Sequence, residues 1–94
     1  VETPGQGIYP NPFVLGRSGS QLTLTGLPLG ASVRIFTADG QLVRRLEGAA
    51  GRGSLSWNGQ NEAGFLVGSG IYLFIAENKD RNRIDGKFAV VNSQ

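Results

Sequence analysis

No stretch of this sequence leaves room for a long, uninterrupted helix. Fifteen glycines are spread through 94 residues, rarely more than a dozen positions apart. Each glycine inside a helix costs about 1 kcal/mol relative to alanine. The segments between them are short and rich in Val, Ile, Leu, Thr and aromatic residues. That composition belongs to strands that end in turns.

The strand pattern is clearest over Ala31 to Thr37, where Val33 and Ile35 alternate with Ser32 and Arg34. Period-two alternation marks a half-buried strand. Asp39-Gly40 follows as a turn pair, because both residues tolerate positive φ. Leu42 to Leu46 then returns, which predicts a hairpin over 31–46. Gln21 to Leu27 alternates in the same way, and Ser54 to Asn58 puts Leu55 and Trp57 on one face. Ile71 to Glu77 is apolar on both faces, so it is expected to be central or covered on both sides. Lys87 to Val91 reads as the last strand, with Phe88 and Val90 inward. Gly7 to Phe13 carries Pro10 and Pro12 and is expected to be an edge strand or an extended lead-in. About seven short strands with turns between them predict an all-β, immunoglobulin-like antiparallel β-sandwich. Residues 1–6 are expected to be a linker tail and residues 7–94 a single module.

The rest of the composition narrows the chemistry. Nine Lys and Arg stand against seven Asp and Glu, and the two signs are interspersed. A nucleic-acid binder concentrates its positive charge in a patch or stripe, and only Lys79 to Lys87 approaches one, so no nucleic-acid partner is expected. No apolar run reaches the roughly 18–20 residues of a membrane span, so membrane insertion is not expected either. No signal peptide opens the chain, and an exported parent would carry one upstream. Without cysteine there is no disulfide, thiol nucleophile or thiolate metal site. Without histidine there is no imidazole base, no His-coordinated metal and no Ser-His-Asp triad.

Asp39, Glu47, Glu62, Glu77, Asp80 and Asp85 all fall in expected turns or at strand ends, where solvated carboxylates are ordinary. None has the spacing of a calcium loop. The Gly-rich stretches at 16–19, 48–53 and 64–70 lack the following helix and Gly-Lys-Ser/Thr of a phosphate loop, and read as turns. Trp57 could stack on a sugar, but its alternation with Leu55 suits a core position. Tyr72, Phe74 and Phe65 are the other candidates for an aromatic sugar platform. Lys87 reads as a solvated side chain rather than as half of an isopeptide crosslink. No catalytic residue, metal or cofactor is expected.

Five blocks, in order, resemble a known family. They are Tyr9-Pro10-Asn11-Pro12-Phe13; Val33 to Thr37 with Asp39-Gly40 and Leu42 to Arg44; Gly53 to Asn61, containing Trp57-Asn58-Gly59; Ala63-Gly64 through Val67, Ser69-Gly70, Ile71 and Tyr72; and Gly86-Lys87 with Val90-Val91. Together they resemble the Ig-like domain named after the flagellar hook-capping protein FlgD. They also resemble the similar C-terminal sorting domains of type IX secretion cargo. The sequence departs from the usual pattern in having Thr37 where Asp is common, and in ending Asn92-Ser93-Gln94 rather than on a basic residue.

The resemblance implies a non-catalytic C-terminal module of an exported bacterial protein, at the cell surface or outside the cell. As a sorting domain it would be addressed to outer-membrane secretion machinery, with Gly86, Lys87, Val90 and Val91 in the signal region. As a FlgD-like domain it would be a structural spacer or assembly unit. Upstream domains of the parent would be its other partners. The remaining motif residues are expected to serve the fold. Trp57 would fill the core and Phe13 would pin the opening segment. Asn58 and Asn61 would bond the backbone of their turn. Ser69-Gly70 would bend the chain into the central strand, with Gly70 allowing close approach or positive φ.

Overall fold

The computed structural model describes residues 7–9, 11–15, 20–28, 30–47 and 54–92. The expected linker tail at 1–6, the Gly-rich turns at 16–19 and 48–53, and Pro10 lie outside them. The described residues form eight strands: β1 (Gly7–Tyr9), β2 (Phe13–Leu15), β3 (Leu22–Thr25), β4 (Ser32–Thr37), β5 (Leu42–Leu46), β6 (Leu55–Trp57), β7 (Gly70–Glu77) and β8 (Arg83–Asn92). They make two sheets, ordered β1-β3-β6 and β2-β8-β7-β4-β5. All pairings are antiparallel except β2 with β8, which is parallel. The architecture is the immunoglobulin-like sandwich that the strand pattern predicts.

The core lies between the sheets. The small sheet contributes Leu22, Leu24 and Trp57; the large one contributes Val33, Ile35, Tyr72, Phe74, Ala76, Phe88 and Val90. Alternation produces this: β3 and β4 bury every second residue. Each large aromatic removes about 150–250 Å² from water, a gross gain of about 4–6 kcal/mol at 25 cal/mol/Å². Those gains must offset the entropy of ordering the chain.

The β4–β5 hairpin forms as expected. Gly40 takes φ +93° at its tip. Thr37, which stands where Asp is common in the family, accepts the Gln41 amide through its hydroxyl at 3.0 Å. The same hydroxyl bonds the Asp39 carboxylate. A side-chain oxygen at this position thus closes the turn as an aspartate would.

Two features differ from the sequence expectation. The lead-in is not one edge strand: it divides into β1, in the small sheet, and β2, in the large one, with a cis Asn11–Pro12 peptide bond between them. The last strand begins at Arg83 rather than Lys87, because the turn at 78–82 is closed by Asn78 and leaves Arg83 free to pair with Glu77. β7 is central, one of the two alternatives expected for it, and is covered on one face only. Tyr72, Phe74 and Ala76 are buried, while Ile71 is 49% exposed and Leu73 and Ile75 are half-buried. No described element packs over that outer face.

Candidate functional site

The motif blocks are far apart in sequence and meet around one indole. Trp57 is buried, and its ring centroid lies 6.0 Å from that of Phe13, 6.3 Å from Tyr72 and 5.9 Å from Phe88. Tyr72 and Phe88 stack at 6.1 Å. These distances suit tilted and edge-to-face aromatic contacts. The opening block, the Trp block, the Ser-Gly-Ile-Tyr block and the terminal strand therefore share one core.

The polar atoms of this cluster are bonded locally. Trp57 Nε1 donates to the Gln60 carbonyl at 2.9 Å. The Tyr72 hydroxyl donates to the Gly68 carbonyl at 2.8 Å. Burial raises the Tyr72 pKa above its ordinary value, because the phenolate would lose its hydration. The turn after Trp57 is held by side chains. Asn58 Oδ1 accepts the Gln60 amide, and Asn61 Oδ1 accepts the amides of Ala63 and Phe65. Gly59, at φ +86°, is buried directly over Leu15, where an added Cβ would lie 2.5 Å from Leu15 Cδ2. Gly64 also has a positive φ, but faces open space. Gly70 opens β7 at φ +157° and has only an ordinary contact with Tyr72.

The opening block and the terminal strand are tied directly. Tyr9 pairs with Thr23 in β1–β3. Asn11 Oδ1 accepts the Ala89 amide at 3.1 Å. Pro12 is exposed, and Phe13 is buried opposite Val90. On β8 the residues of the expected signal region divide by face. Lys87 and Val91 are exposed, Gly86 is half-buried and Val90 is buried. A Cβ on Gly86 would lie 2.7 Å from Phe74 Cε1, so the Phe74 ring occupies the space a side chain would take.

Three residues matter here that the sequence pattern did not single out. Asn92 donates its amide to Ser69 Oγ at 2.8 Å and its Nδ2 to the Val67 carbonyl at 2.7 Å, tying the end of β8 to the start of β7. Leu15 is the contact that requires glycine at 59. Glu62 Oε2 accepts the Arg45 amide at 2.7 Å, and its own amide donates to the Val43 carbonyl at 3.0 Å. Each depends on a contact across the fold, and no local spacing signals it.

Among the described residues there is no group of acids that could hold a metal and no buried charged side chain. Tyr72 and Phe74 are buried, which leaves Phe65, 70% exposed, without the other two members of an aromatic platform. Two ion pairs among the described residues, Arg34–Glu77 at 3.5 Å and Arg83–Asp85 at 3.6 Å, are exposed and contribute little to stability.

Comparison with known proteins agrees with this arrangement. No curated protein matches the sequence. Among solved structures, the chain is similar to part of PorZ, an essential bacterial surface component of the type-IX secretion system of Porphyromonas gingivalis. The TM-score is 0.74, with 28% identity over 90% of this chain and 11% of that one. The chain thus corresponds to about a tenth of PorZ. CopC from Methylosinus trichosporium OB3b aligns at a TM-score of 0.48 and 21% identity, over 86% of this chain and 84% of that one. The sequence family described as the FlgD Ig-like domain matches residues 16–82. With the Trp57-centred sandwich, that match shows that the chain belongs to the FlgD Ig-like domain family.

Proposed function

We propose that this domain is a non-catalytic C-terminal sorting or cell-attachment module of an exported bacterial protein, handled by type IX secretion machinery at the outer membrane. The likeness to part of PorZ, at 28% identity over 90% of the chain, carries this reading. A match of that extent reaches beyond residues 16–82 into the ends of the domain, where the opening and closing motifs lie. On this reading Lys87 and Val91, exposed on β8, are what the machinery touches, while Gly86 and Val90 shape the strand. The domain turns over no substrate, since its reactive inventory is thin.

A secretion assay tests the proposal. Residues 1–94 are fused to the C-terminus of a periplasm-exported fluorescent protein, in a bacterium with the type IX machine. Deleting the last strand would remove Phe88 and Val90 from the core and confound address with folding. The comparison is therefore a Lys87→Glu/Val91→Thr variant, changed only at exposed positions. Surface delivery of the parent fusion, with the folded variant retained in the periplasm, supports the sorting reading. Retention of both folded fusions removes it.

The second reading is a structural FlgD-like spacer or assembly domain between other parts of the parent. The family match over residues 16–82, which holds β3 to β7, favours it. It takes the place of sorting if both fusions are retained.

A further inference from the structure

The two edges of the five-stranded sheet are finished differently. At β5 the outward Val43 carbonyl and Arg45 amide are both taken by Glu62. At the other edge β2 covers β8 only over Val90, Val91 and Asn92. The Asn11 side chain takes the Ala89 amide. That bond fixes the direction of the β8 backbone: Ala89 points outward, so Lys87, Asp85 and Arg83 do as well. The Asn92 amide, of the opposite parity, points to Ser69 at the start of β7, as this alternation requires. Among the described residues, no strand pairs with the outward amides and carbonyls of Arg83, Asp85 and Lys87.

Beside this open edge lies a groove of ≈ 390 Å³, lined on its apolar side by Ile8, Phe74, Ile84 and Gly86. Glycine at 86 adds no side chain to close it. On the outer face of β8, Asp85 is paired with Arg83, whereas Lys87 is exposed and has no carboxylate within ion-pair distance among the described residues. We propose that β8 from Arg83 to Lys87 is a docking edge for an extended segment of another protein. The segment adds as a strand in line with β2, with an apolar side chain opposite Gly86 entering the groove and an acidic side chain opposite Lys87. Its main-chain bonds supply affinity and these two side chains supply selectivity.

A second copy of this chain is a poor occupant. In an antiparallel edge-to-edge pair, the register that puts one copy's Ile84 opposite the other's Gly86 also sets Asp85 against Asp85 and Arg83 against Lys87. Like charges directly opposite are destabilising. Shifted registers pair Asp85 with Lys87 or Arg83 with Asp85, but they set Gly86 opposite Gly86 or Asn82 and leave the groove without an apolar side chain, so no one register of a second copy meets both requirements. This inference does not depend on the sorting reading, and its test involves no secretion.

The first measurement is hydrogen exchange on the free monomer. The amides of Asp85 and Lys87 are expected to exchange quickly and that of Ala89 slowly. Protection of Asp85 and Lys87 in the free monomer means the edge is already filled, and overturns the proposal. The probe is then the capped peptide Thr-Glu-Val-Thr-Val-Ser, which in antiparallel register places Glu opposite Lys87 and the first Val opposite Gly86. Amide NMR shifts are expected at residues 83–88, with protection gained at Asp85 and Lys87. N-methylating the second Thr, whose amide faces β8, should abolish binding, while N-methylating the first Val, whose amide faces away, should not. The exposed Lys87→Glu substitution should weaken binding about fivefold, and a peptide with Lys in place of Glu should recover it. Absence of shifts at 83–88, equal binding of the two N-methyl peptides, or self-association through this edge overturns the proposal.

Discussion

The Asn11 side chain and the Ala89 backbone amide meet at 3.1 Å, although 78 positions separate them in the chain. This bond joins the opening motif to the terminal strand, at the point where β2 stops covering β8. Replacing Asn11 with Ala removes the side-chain acceptor of that amide. The expected loss is about 0.5–1.5 kcal/mol, nearer the lower figure because the bond is exposed. Asn11→Asp keeps the acceptor and should retain most of it. Hydrogen exchange at Ala89 is the direct check. Unchanged exchange in Asn11→Ala would show that the bond is not made in solution.

Trp57 is expected to emit in the blue, as a dry indole does, and to ignore added polysaccharide. Its ring is 1% exposed and surrounded by Phe13, Tyr72 and Phe88. Trp57→Ala should cost about 3–5 kcal/mol, comparable with the whole stability of a small domain. Urea unfolding followed by circular dichroism measures it. A red-shifted emission that moves with polysaccharide would place the indole at the surface instead.

Gly59 and Gly40 separate two reasons for glycine. Both have positive φ, but a Cβ at 40 meets nothing within 4 Å, whereas one at 59 strikes buried Leu15. Gly40→Ala should cost about 1–2 kcal/mol for backbone conformation alone. Gly59→Ala adds an overpacking cost of about 1–3 kcal/mol. Combining Gly59→Ala with Leu15→Val should recover part of the second cost, as a thermal-unfolding double-mutant cycle would show. Equal losses at 40 and 59 would mean that Leu15 yields freely.

Tyr72 makes stability depend on pH only at high pH. Its folded pKa lies above the ordinary 10.0 because burial disfavours the phenolate. The neutral hydroxyl is therefore favoured by folding, and its contribution is complete below pH 10. It is lost as pH rises through the folded value. Denaturant midpoints from pH 7 to 11 should be level and then fall. Tyr72→Phe should flatten that fall, while costing about 0.5–1.5 kcal/mol at neutral pH for the bond to Gly68. An identical alkaline fall in the variant would assign it to another group.

Much of the fold is legible locally. The β4–β5 hairpin follows from the alternation of Val33 and Ile35 and from Asp39-Gly40. Trp57 follows from its spacing with Leu55, and the turn after it from Asn58 and Asn61. The division of the lead-in was not legible. Tyr9 and Phe13 are four residues apart, yet they belong to opposite sheets. Nor was the one-sided exposure of β7, because Ile71, Leu73 and Ile75 are as apolar as the buried Tyr72, Phe74 and Ala76. A strand with two apolar faces does not say which one has a partner.

Period-two alternation, glycine spacing and the absence of His and Cys determine, without coordinates, that the chain makes short strands, closes them with turns and carries no imidazole or thiol. These are local properties of backbone sterics and side-chain chemistry. Only the tertiary structure decided that Asn11 reaches Ala89, that Leu15 requires Gly59, that Asn92 ties β8 to β7, and that β8 has one covered half and one open half. Those relations come from sheet order and register, which depend on how two layers close over one core. A contact between residues 78 positions apart leaves no mark on the spacing around either of them.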